Sequence, residues 1–117
     1  MPAAIVCNMN AFTLLERQRY DVLRAQVQAA AGQVDELESG FAFHFAMEAA
    51  VLAFVAEWLV LERRCCPFLD FTLDVRAERA FATLTITGPE GTKDVLREGM
   101  AQPLFAPSRL VRPMKSR

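Results

Sequence analysis

The chain has 117 residues, of which 53% are hydrophobic, and a formal net charge of −1. That length suits one domain that buries a core without disulfides or a structural metal, and that composition excludes disorder for most of it. Residues 1–108 carry 9 Lys/Arg against 14 Asp/Glu, and Arg109, Arg112, Lys115 and Arg117 hold the remaining positive charge. So acidic a body excludes a nucleic-acid surface, which needs cations clustered over one face.

The longest low-charge run, Ala49–Ala56, is too short for a bilayer, which takes about 20 apolar residues. Met1–Asn8 lacks the positive start and long apolar run of a secretory signal. The expected location is therefore the cytoplasm, with no membrane partner. Three cysteines, an odd number, then favour free thiols or a metal over a disulfide framework.

In chain order, Pro2–Asn10 is an apolar lead-in holding Cys7. Thr13-Leu14-Leu15-Glu16 fits a capping box. Leu15, Tyr20, Leu23, Val27 and Ala30 follow at near-helical spacing, which predicts a one-sided helix to about Ala31, stopping at Gly32. Phe41, Phe43 and Phe45 alternate with Ala42, His44 and Ala46, the period of a strand, with Ser39-Gly40 as the turn of a hairpin back to Val34–Leu37. From about Met47 the pattern becomes helical and apolar nearly all round, with Glu48, Glu57, Arg63 and Arg64 as its main polar marks. Such a helix is central or lies in a subunit interface.

Pro67 ends that helix, since the residue before a proline is pushed out of the α region. Cys65 is then expected in the last helical turn and Cys66 in extended backbone. Leu69, Phe71, Leu73 and Val75 alternate with Asp70, Thr72 and Asp74 as a strand with one buried face. Arg76–Ala80 is a hairpin connection, and Phe81–Thr87 returns with Ala82, Leu84 and Ile86 inward and three threonines outward. A turn at Thr87–Gly91 leads into a short helix, about Pro89–Glu98. The predicted fold class is α+β, a two-layer sandwich in the order helix-hairpin-helix-hairpin-helix, with an antiparallel sheet of about four strands. Residues 1–101 form the expected domain. Residues 102–117, basic and with three prolines, form an expected tail that packs through Leu104 and Phe105.

The chemically unusual feature is the adjacent pair Cys65 and Cys66 at a helix-to-strand corner. Thiolates there suit soft ions: zinc, copper(I), mercury(II) or arsenic(III). Cys7 supplies a third sulfur if the N-terminal segment lies against this corner. Glu62, at i,i+3 from Cys65 and i,i+4 from Cys66, is placed to join the site. Arg63 and Arg64 would lower a nearby thiol pKa, while the negative end of the helix dipole would raise it. As a zinc signal the pair is weak, because structural zinc sites show two spaced pairs. His44, the only imidazole, reads as a strand surface residue, and Glu57 and Glu62 fall on different sides of their helix.

At these residues the chain resembles a group of short bacterial proteins sharing an E-R-x-C-C-P-F-x-x-F-x-L stretch followed after a hairpin by T-G-P-E-G, matched here by Glu62–Leu73 and Thr87–Gly91. Relatives also carry a cysteine ahead of the first helix, where Cys7 stands. The resemblance implies a shared fold and three cysteines acting together, and it brings no substrate or reaction. Three functional expectations follow. The first is a small cytoplasmic protein that binds a soft metal or metalloid ion through Cys65, Cys66, Cys7 and Glu62, for sensing, buffering or delivery. The second is a thiol-dependent redox protein or enzyme in which one cysteine attacks and its neighbour resolves. The third is a homodimeric interaction module, paired through the Met47–Leu61 helix, with inert buried cysteines.

Overall fold

The computed structural model describes residues 8–97 and 111–112. A 3-10 turn, Met9–Ala11, leads into helix α1, Leu14–Ala30. The start of α1 is the expected capping box: Glu16 N donates to Thr13 Oγ1 at 3.2 Å, and Thr13 N donates to Glu16 Oε1 at 2.9 Å. Two amides that a helix start leaves unpaired are thereby satisfied. Strands β1, Val34–Glu36, and β2, Gly40–Ala46, form the first hairpin, closed by Leu37 N donating to Gly40 O at 2.9 Å. Helix α2, Ala49–Cys65, follows, then β3, Asp70–Asp74, β4, Phe81–Thr87, and a single helical turn α3, Thr92–Val95.

The sheet runs β3-β4-β2-β1, antiparallel within each hairpin and also where β2 meets β4. A two-residue strand β5, Val111–Arg112, extends it by pairing parallel with β1. This puts a sheet edge inside the segment expected as tail. Leu104 and Phe105 lie outside the described residues.

Period-two alternation sends Phe41, Phe43, Phe45, Leu84 and Ile86 to one face of the sheet, where α1 and α2 cover them with Tyr20, Leu23, Val27, Val55 and Trp58. Each fully buried large apolar side chain stabilises the fold by about 1.5–3 kcal/mol, so this layer interface is the main source of stability. Trp58 also meets the Phe71 ring edge to face, with centroids 6.5 Å apart. Among the described residues no helix is long and apolar enough to cross a membrane.

Three expectations about elements are corrected. Leu15, assigned to the buried stripe of α1, is 77% exposed, and that stripe consists of Tyr20, Leu23 and Val27. Val75 is 52% exposed, since β3 ends at Asp74 on the sheet edge. The last helix starts at Thr92 and not at Pro89: Gly91, with φ of 96°, holds a left-handed turn that only then releases the chain into helix.

Candidate metal centre

The site forms where α2 stops. Cys65 is its last helical residue and Cys66 its cap, which the following proline keeps out of the α region, at φ −123° and ψ 77°, short of the extended backbone expected. Cys66 N still donates to Glu62 O at 2.8 Å, completing the last turn. Because Glu62 lies one turn back, its side chain and both sulfurs share the inward face. All three residues are buried, and their ligand atoms lie within 4.8 Å of one another. The two sulfurs are 3.8 Å apart, and Cys66 Sγ is 3.0 Å from Glu62 Oε1. Cys65 is a free thiol, as expected, whereas Cys66 is disulfide-bonded, which corrects the expectation of free thiols there.

Glu62 is 2% exposed, so its charge would be poorly hydrated. Burial raises its pKa to about 7, opposed by the hydrogen bond from Tyr20 and the charge of Arg24. Tyr20 Oη donates to Glu62 Oε2 at 2.6 Å, from α1 across to α2. Burial and then the facing carboxylate push the Tyr20 hydroxyl well above its ordinary range, so it stays a proton donor. Burial, followed by the Glu62 charge, also raises the Cys65 thiol to about 11. The arginines expected to activate the thiols do not offset this. Arg64 turns away to Glu16, at 2.5 Å, and to the Ala11 carbonyl, at 2.9 Å.

Asn8 and Met9 lie against this corner. Asn8 N donates to the Cys65 carbonyl at 2.6 Å, and Met9 Sδ sits 3.3 Å from Cys65 Sγ. Cys7, expected as the third sulfur, lies outside the described residues. A cavity of about 290 Å³ opens beside the thiols, with Met9, Tyr20, Arg24, Glu62, Cys65 and Cys66 in its wall.

Cys65, Cys66 and Glu62 are thus brought together as the helical spacing implied. Glu57 stays apart, paired on the surface with Arg19 at 2.7 Å. Sequence reasoning missed Tyr20 and Met9. Tyr20 carried a signal, as the one hydroxyl on the buried stripe of α1; Met9 carried none. His44 is remote from the thiols and engaged on the sheet, with Nε2 2.9 Å from Asp35 Oδ2 and Nδ1 2.9 Å from Thr83 Oγ1.

The chain matches no protein-family model, no curated protein and no solved structure.

Proposed function

We propose that the reduced protein binds a soft metal or metalloid ion through Cys65, Cys66 and Glu62, with Cys7 as a further ligand, and serves in sensing, buffering or delivery of that ion in the cytoplasm. The observation that carries this reading is the convergence of two sulfurs and a carboxylate, each contributed by the last turn of one helix, within 4.8 Å. Two sulfurs bound to one tetrahedral ion at about 2.3 Å stand about 3.8 Å apart, and the Cys65 and Cys66 sulfurs are 3.8 Å apart. Sulfur donors favour soft ions over magnesium or calcium, which take oxygen. Binding must displace the thiol protons, so uptake releases protons and strengthens with pH.

The disulfide at Cys66 supports a second reading. Cys65 Sγ stands close enough to attack the Cys66 sulfur, forming a Cys65–Cys66 bond and expelling the former partner as a thiolate. The raised pKa of Cys65 disfavours that role, because the thiolate is the attacking species. Metal binding must displace the same proton, but there the charge of the ion favours the thiolate and offsets part of the cost.

Native mass spectrometry of the reduced protein with zinc, copper(I), arsenite and mercury(II) tests the proposal. One ion per chain, lost in Cys65→Ser and Cys66→Ser and weakened in Cys7→Ser, is the expected result. No uptake of any of the four, with thiols that still alkylate, would turn the reading to thiol exchange.

A further inference from the structure

We propose that the site is built for copper(I), with Met9 Sδ as a sulfur ligand in addition to the cysteines. This rests on the soft-ion reading above and names its ion. Met9 is held in place by backbone. Its neighbour Asn8 hangs from the Cys65 carbonyl through a 2.6 Å hydrogen bond, and the Asn8 side chain accepts from Asn10 N at 3.1 Å to cap the turn. Phe12 N then closes the turn on the Met9 carbonyl at 3.3 Å. The thioether is therefore presented to Cys65 Sγ, 3.3 Å away, at the wall of the cavity that both cysteines also line.

The donor set discriminates among soft ions. Protein zinc sites draw on thiolate, imidazole and carboxylate, and a thioether is not among their usual ligands. The only imidazole of the chain is His44, occupied with Asp35 and Thr83 on the sheet. Thiolate combined with thioether selects copper(I), a soft monocation that a neutral sulfur serves well. Mercury(II) and arsenic(III) bind through thiolates and gain little from a neutral thioether.

The test titrates the full-length protein, reduced with a phosphine, against a chromophoric copper(I) chelator. Met9→Leu keeps the volume of the side chain and removes its sulfur. It should weaken copper(I) binding by at least the about tenfold that losing even an outer-shell partner costs a metal site, and leave mercury(II) binding unchanged. Selenium-edge X-ray absorption on the copper-loaded selenomethionine protein gives a reading independent of how the variant folds. A copper–selenium path should be present, and absent in Met9→Leu. Wild-type copper(I) affinity in Met9→Leu, or no copper–selenium path, overturns the assignment of Met9. A chain that takes mercury(II) or zinc through Cys65 and Cys66 but no copper(I) overturns this inference and leaves the soft-ion reading standing. A chain that takes none of these ions overturns both.

Discussion

Glu62 is the residue on which the site turns. A carboxyl that is 2% exposed needs a partner, and Tyr20 provides it from another helix. Tyr20→Phe keeps the ring and removes the donor, leaving a buried acceptor short of a bond. The expected loss is about 1–3 kcal/mol of unfolding free energy, measured by urea titration of the reduced, metal-free protein. Cys65 offers a second check at this scale. Buried, and with its pKa raised to about 11, it should alkylate with iodoacetamide at pH 7.5 far more slowly than in denaturant. Equal rates in the two conditions would contradict its placement. The proximity of Glu62 to both cysteines was legible in the sequence, because i,i+3 and i,i+4 place residues on one helical face. The Tyr20 bond was not, because it joins residues 42 positions apart. Met9 was less legible still, since it lies in a turn with no repeating pattern.

At the scale of elements, the alternating phenylalanines, the capping box and the Pro67 break each wrote a local rule into the sequence, and each produced its element. Gly40 obeys a different rule from the one its sequence suggested. It is the first residue of β2, and a Cβ there would lie 1.8 Å from the Ile86 carbonyl oxygen and 2.8 Å from Thr87 Cα. Backbone and not a flexible side chain stands in the way, so Gly40→Ala must spread β2 from β4. A cost of about 1–3 kcal/mol is expected, as for other overpacked interiors, with a lowered thermal midpoint by circular dichroism. The start of α1 is tied to the end of α2 by Glu16 and Arg64, whose guanidinium, with the Thr13 amide, holds the Glu16 carboxyl at about 2. A depressed pKa contributes stability above the unfolded value near 4.5 and loses it as pH falls toward 2. Glu16→Gln should therefore flatten the acid limb of the stability profile between those values and leave its shape above pH 5 unchanged.

For the whole molecule, the two-layer arrangement follows from counting one-sided elements: two hairpins with one apolar face each need helices to cover them. The parallel strand β5 escaped that count because two residues are too few to show alternation. The layers also separate duties. The sheet and the inward faces of α1 and α2 carry the packing, while Glu62, Cys65 and Cys66 sit at the end of α2. Metal uptake should accordingly depend on oxidation state more than on fold. The oxidised protein, with Cys66 in its disulfide, should take up less than a tenth of the ion bound after phosphine treatment, with the same far-ultraviolet circular dichroism before and after. Equal uptake in both states would remove Cys66 from the ligand set.

The hydrogen bond from Asn8 to the Cys65 carbonyl has a kinetic consequence. It fastens the turn carrying Met9 to the site, and the turn has no buried residue of its own. Segments of that kind open locally at a small fraction of the free energy of global unfolding. An ion held between this turn and the helix end would leave by lifting the turn while the sheet stays intact. Its residence time would then follow the exchange rate of the Asn8 amide with solvent deuterium, so that release would need no global unfolding.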